Sequence, residues 1–313
     1  MEPASPKRPE PLGQRIFLGA DGLLRPIWRV VLFVFLGGLG LTATSRGFSA
    51  LLPYVPVLRS ETLRAGSIIQ YLLINAALLL MTALFIRVLD RRSVRTLGLW
   101  FYAGWGREAA MGICCGGALI AATVGGIVVS GGAYYPGLAE NSVFWLLQAV
   151  PAGVFVLLAA AAEEIAFRGY AFQRLVDSIG ALGAVLVLSA LFGVVHLRNP
   201  GHPTAISTAN TALAGVLLAV AYLKTRGLWL PIGLHAAWNF FQGPVFGLPV
   251  SGFTAPFKPY LLSTQVAGPE WLTGSAYGPE GSIILTVTCV AAIVWLARTK
   301  SVFPSLAMRE VLE

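Results

Sequence analysis

Two adjacent carboxylates followed by an arginine, Glu163, Glu164 and Arg168, sit at the end of a long apolar run, PAGVFVLLAAAAEEIAFRGYAFQRLVD. Ionisable groups at membrane depth are costly and mark functional sites. On a helix, Glu164 and Arg168 are four residues apart and share a face, so they can pair. Glu163 is rotated by about 100° and cannot use that arginine equally well. One carboxylate is therefore expected to be structural, and the other free for chemistry.

The chain has three histidines. His196 ends an apolar run in FGVVH, with Phe192 one turn before it. His235 lies in LHAAWN, with Asn239 one turn after it, and that spacing puts both side chains on one helix face. His202 lies in the connecting stretch RNPGHP and has no evident partner. A single histidine or asparagine in an apolar helix is usually a packing or hydrogen-bonding residue. Polar groups on three separate apolar segments form a stronger pattern.

The chemistry that fits is activation of water beside stabilisation of an oxyanion. A carboxylate next to an imidazole can take a proton from water. An imidazole N–H and an amide NH₂ can stabilise a tetrahedral intermediate. No GxSxG, HExxH or placed Ser or Cys nucleophile is present. A zinc site of Glu163, His196 and His235 stays open, because these are legitimate catalytic ligands.

The elements that must position these groups follow from composition. Apolar residues make up 56% of the 313 residues and charged residues 12%, with a mean hydropathy of +0.74. A soluble domain carries about twice that share of charge. The expected fold is an all-α polytopic membrane bundle of about eight helices, with apolar runs near 27–45, 68–87, 108–130, 144–164, 181–197, 207–223, 228–248 and 281–297. A polar tail over 1–26, a bundle over 27–298 with a core near 150–242, and a tail over 299–313 complete the expected layout. Pro151 and Pro231 are expected to kink their helices or lie in first turns. Ala212, Gly215 and Ala219 form a small-residue seam.

The net charge of +8 does not point to nucleic acid, because the basic residues sit in short groups between apolar runs. Alternate connecting segments hold 17 and 5 of the 22 Lys and Arg residues. The positive-inside rule then places both termini in the cytoplasm and 249–280 outside as a loop. The expected location is a bacterial inner membrane. The three cysteines, Cys114, Cys115 and Cys289, fall in apolar runs and suggest neither a disulfide framework nor a redox motif.

Spacing also predicts how two runs meet. If the helix carrying Glu163 continues to Asp177 and turns at Ser178–Gly180, an antiparallel hairpin results. Glu163 and His196 would then lie at one level, each about 25 Å from the turn.

In order, EExxxR (Glu163, Glu164, Arg168), FxxxH (Phe192, His196) and HxxxN (His235, Asn239) closely resemble the CPBP family. These are the CAAX prenyl endopeptidases and bacteriocin-processing enzymes, also called the Abi family, of intramembrane glutamic proteases. The resemblance covers roughly Val150 to Gln242. It implies that Glu163 and His196 activate water and that His235 and Asn239 form the oxyanion hole, without a cofactor. It further implies a peptide or protein substrate, lipidated or not, reached among membrane lipids. Two alternatives stand beside it. One is a transporter with a Glu/His proton relay, which inverted repeats would favour, although no convincing pair of broken helices is found. The other is a non-catalytic immunity or scaffold protein.

Overall fold

The computed structural model describes residues 12–19, 21–59, 64–138 and 142–313; the first eleven residues of the tail expected over 1–26 lie outside the described residues. A short helix α1 (Leu12–Phe17) precedes α2 (Pro26–Leu51), α3 (Ala65–Val88) and α4 (Trp105–Val129). A strand β1 (Ala133–Leu138) leads into α5 (Ser142–Arg168), α6 (Tyr170–Val195), α7 (Ala205–Thr225) and α8 (Trp229–Phe240). After β2 (Leu262–Val266) and the single turn α9 (Glu270–Thr273), the chain ends in α10 (Ile283–Arg298) and α11 (Leu306–Leu312).

This is the helical membrane bundle that the composition predicts. Among the described residues, five stretches are long and apolar enough to cross a membrane: Pro26–Tyr54, Ala65–Val88, Trp105–Val129, Val143–Arg198 and Ala205–Thr225. They contain six of the eight expected runs, because Val143–Arg198 takes in two of them. The other two runs form the shorter helices α8 and α10. Large apolar side chains such as Leu80, Val129 and Leu147 point outward, as they do where the surrounding solvent is hydrocarbon rather than water.

The expected hairpin forms with one change. The helix does not run on to Asp177, because the chain breaks at Gly169 between α5 and α6. It breaks again at Gly180, whose φ of 78° is easily reached only by glycine. The Gly180 break reverses the chain. Phe167 then meets Phe192 edge-on at 5.1 Å, and this pair is placed almost symmetrically about Gly180, as are Glu163 and His196.

Pro151 lies inside α5, whereas Pro231 lies in the first turn of α8, where a missing N–H costs little. A five-residue π-helical turn over Phe241–Val245, with Pro244 in it, stops α8 early. The short helix is held by backbone contact with α4. A Cβ at Gly116 would lie 2.1 Å from the Leu234 carbonyl oxygen, so only glycine permits this approach. Leu234 is the residue before His235, and the contact therefore fixes the level of that histidine.

At the end of the bundle carrying Asp90, a buried ion cluster joins α2, α3 and α6. Asp90 accepts hydrogen bonds from Arg29 at 2.5 Å and from the Tyr170 hydroxyl at 3.2 Å. Arg174 lies 3.6 Å from Asp90 and pairs with Asp177 at 2.8 Å.

The segment expected as an outer loop over 249–280 is a folded cap. β2 pairs antiparallel with β1. Arg64 donates to the Pro256 carbonyl at 2.9 Å and also to that of Lys258, and Trp145 donates to the Pro244 carbonyl at 2.8 Å. Nor is the stretch 299–313 a free tail, since α11 docks with Met308 fully buried.

Candidate active site

The last turns of α5 present three charges to the bundle interior. Glu164 and Arg168 pair as their spacing predicts, Nη1 to Oε1 at 3.2 Å, both buried. The other guanidinium nitrogen, Nη2, donates to the Gly215 carbonyl on α7 at 3.1 Å. The guanidinium also lies 4.6 Å from the centre of the Phe192 ring, within cation–π range. The pair therefore ties α5, α6 and α7 together around Phe192.

Glu164 has a second partner that spacing did not reveal. Its Oε1 also lies 2.8 Å from Nδ1 of His235 on α8. A carboxylate only accepts, so Nδ1 carries the proton and the ring is oriented with Nε2 outward. That Nε2 lies 4.0 Å from Oε2 of Glu163, beyond hydrogen-bond range. Oε2 of Glu163 and Oε2 of Glu164 are both buried and, among the described residues, have no hydrogen-bond partner. Glu163, the carboxylate expected to be free for chemistry, is thus next to His235.

His196, at the C-terminal end of α6, is fixed in a similar way. Its Nδ1 lies 2.7 Å from the Phe192 carbonyl, which can only accept, so the free nitrogen is again Nε2. Its ring packs on Phe192 with centroids 4.5 Å apart, and Phe192 lies edge-on to His235 at 6.3 Å. Phe192 is the spacer that holds Arg168, His196 and His235 around one ring. No hydrogen bond joins Glu163 to His196 among the described residues. His202 stays outside this group, in the connection before α7, with a φ of 57°.

His196, His235 and Asn239 line one small cavity of about 40 Å³ with Phe192. That is room enough for ordered water. Among the described residues, no three His, Cys, Asp or Glu side chains group as a metal-binding set.

The cap contributes residues that the sequence reading missed. Ser251 and Glu280 line the same cavity. The Glu280 carboxylate accepts from the Ser251 N–H at 2.9 Å, the Ser251 hydroxyl at 3.1 Å and the Gln242 amide at 2.5 Å. Burial pushes this carboxyl up to about 7, against the opposing pull of those donors. Gln242 accepts in turn from Trp238 Nε1 at 2.8 Å. The only sequence signals were an acidic residue in PEGS, just before the last apolar run, and a glutamine one turn after Asn239.

One comparison with known proteins falls on this same region. Residues 144–241 match the family model described as Type II CAAX prenyl endopeptidase Rce1-like. Two Bacillus subtilis (strain 168) proteins are similar. "Putative membrane peptidase YdiL" is 32% identical over 100 residues, 31% of this chain and 38% of that protein. "Uncharacterized protein YyaK" is 34% identical over 102 residues, 31% of this chain and 33% of that protein. The chain thus spans about a third of the length of the curated relatives it matches. No solved structure matches it at a significant level. Residues 144–241, which carry all three motifs, are thus similar to the Rce1-like, type II CAAX prenyl endopeptidase family.

Proposed function

We propose that the protein is an intramembrane endopeptidase that hydrolyses a peptide bond of a peptide or protein segment at the membrane, with Glu163 as general base. The observation that carries this reading is the gap between Glu163 Oε2 and His235 Nε2. It is too long for a direct bond, and a water or substrate oxygen admitted between the two atoms would bridge them.

Charge balance gives His235 its role. Glu163, Glu164, Arg168 and His235 sum to zero when His235 is an imidazolium, and in that form Nε2–H is a donor. A neutral ring with Nδ1–H on Glu164 could only accept there. His196, with its Nδ1 proton held by the Phe192 carbonyl, offers a lone pair at Nε2 that receives a hydrogen of the attacking water.

In the proposed reaction Glu163 removes a proton from water as the water oxygen attacks the scissile carbonyl carbon. The oxyanion is stabilised by His235 Nε2–H and the Asn239 amide. Glu163 then returns the proton to the leaving nitrogen as the C–N bond breaks, giving a carboxylic acid and an amine. Glu164 and Arg168 hold His235 in place, and Phe192 spaces the two rings. No metal takes part in these steps. The peptidase name carried by one relative and the family of residues 144–241 support the reaction class.

The test is purified protein in detergent, assayed against a peptide library with metal content measured on the same sample. The expected result is turnover that survives dialysis against a strong chelator, with no stoichiometric zinc. One zinc per chain, with chelator-sensitive activity restored by added zinc, would replace this mechanism with a metalloprotease of the same fold.

The proposed location is a bacterial membrane with both termini cytoplasmic, supported by the distribution of Lys and Arg. With native cysteines replaced, a cysteine introduced at Pro256 is expected to be labelled from outside intact cells. Cysteines at Arg95 and Arg226 are expected to stay unlabelled, and labelling at Arg95 would reverse the orientation.

A further inference from the structure

Glu280 lies outside the 144–241 segment that carries the motifs, yet it faces the same cavity as His196, His235 and Asn239. Its carboxylate gathers three donors from two separate places. Ser251 gives its N–H and hydroxyl from the start of the cap, and Gln242 gives its amide from the π-helical turn that ends α8. The Glu280 backbone carbonyl is held as well, by the Asn210 amide of α7 at 2.8 Å. Asn210 also donates to the Ser282 carbonyl at 2.9 Å and accepts from Thr286 at 2.7 Å. This side of the carboxylate is therefore anchored to α7 and α10.

Gln242 is the connection to the chemistry. It follows Asn239 by one turn, takes the Trp238 indole N–H at 2.8 Å and donates to the Pro249 carbonyl at 2.5 Å as well as to Glu280. The last turn of α8, which carries Asn239, is thus held from beyond its own end. A π-helical turn offers weaker backbone support than an α-helical one and recurs at functional sites. Side-chain bonds to Glu280 supply the missing support.

We infer that Glu280 is a positioning residue, clamping the cap and the C-terminal end of α8 together so that Asn239 and Ser251 form one fixed wall of the site. The inference rests on the peptidase reading for its kinetic consequence, and on hydrogen bonding alone for its structural one. Without the carboxylate, the Ser251 N–H and the Gln242 amide lose their common acceptor, and Asn239 is held only by the helix. A displacement of about 1 Å at a catalytic group costs on the order of 10²-fold in rate.

The experiment compares wild type, Glu280→Ala, Glu280→Gln and Glu163→Gln on one cleaved library peptide. It reads kcat and KM separately per folded molecule, and hydrogen exchange across 242–257. For Glu280→Ala, kcat is expected to fall about 10–100-fold while KM stays within about threefold, the pattern of a lost transition-state contact. Exchange protection is expected to drop at Ser251 and through 242–254, with α5 unchanged. Glu280→Gln keeps one carbonyl acceptor for Ser251, so its kcat should fall less than about tenfold; it also serves if the alanine variant does not fold. A Glu280→Ala kcat within about twofold of wild type, unchanged protection at Ser251 in Glu280→Ala, or, if that variant does not fold, unchanged protection through 242–248 in Glu280→Gln would overturn the clamp. Inactive wild type, or full activity in Glu163→Gln, would instead overturn the peptidase reading. The exchange measurement would still decide whether Glu280 clamps the wall.

Discussion

The bundle holds two buried ion clusters, and the difference between them separates a structural group from a chemical one. Around Asp90, two carboxylates meet two arginines and a tyrosine hydroxyl. The formal charges cancel among carboxylates and arginines alone, with no histidine in the cluster. Around Glu164, two carboxylates meet only one arginine, and the fourth member is a histidine. That cluster balances only when His235 is protonated, and among the described residues it leaves an oxygen of each glutamate without a hydrogen-bond partner. In the first cluster every charge has an oppositely charged partner that is not a histidine, although Arg174 Nε makes no hydrogen bond among the described residues. The second keeps a free carboxylate oxygen 4.0 Å from an oriented imidazole.

The strongest way to break this comparison is to cut one carboxylate from each cluster. Asp90→Asn and Glu164→Gln should each destabilise the fold by about 3–5 kcal/mol, because each strands a buried guanidinium. Their turnover per folded molecule should differ. Asp90→Asn is expected to keep it, whereas Glu164→Gln should lose it along with the orientation of His235. Equal kinetic losses in both variants, measured beside thermal melts, would mean that the clusters are not distinct.

Next in size is Asn239→Ala. As an oxyanion donor, Asn239 should cost roughly 10²–10³ in kcat with little change in substrate affinity. A rise in KM alone would make it a binding group.

The smallest effect comes from the cap. The Glu280 carboxyl is raised from an ordinary 4.5 to about 7 by burial. A raised carboxyl favours the protonated form in the folded state, so its contribution to stability is full below about pH 4.5 and is lost as pH rises through about 7. Wild-type Tm should fall by a few degrees across that window. Most of that fall should disappear in Glu280→Gln, and an identical pH dependence in the two proteins would exclude the assignment.

What the sequence made legible was local. The i, i+4 pairs Glu164–Arg168, Phe192–His196 and His235–Asn239 needed only helical geometry, and the first pair forms as expected. The different faces of Glu163 and Glu164 were legible for the same reason. The chain reversal at Gly180 could be read because Asp177, Ser178 and Gly180 together interrupt the apolar pattern. The Glu164–His235 bond was not legible, since it depends on α8 lying against α5 and on the glycine contact with α4. The short length of α8 was hidden because its apolar run continues through the π-helical turn. Glu280 and Ser251 were read as parts of a connecting loop, because a cap held by tertiary hydrogen bonds has no periodic pattern.

We propose Glu163, and not Glu164, as the base. That role is tested most directly by measuring single-turnover cleavage of one library peptide by purified wild type and Glu163→Gln, with Tm taken on the same samples. Glu163→Gln is expected to keep the wild-type Tm and to cleave more slowly by about 10²–10⁴-fold, the usual contribution of a general base. A Glu163→Gln rate equal to wild type would contradict that role.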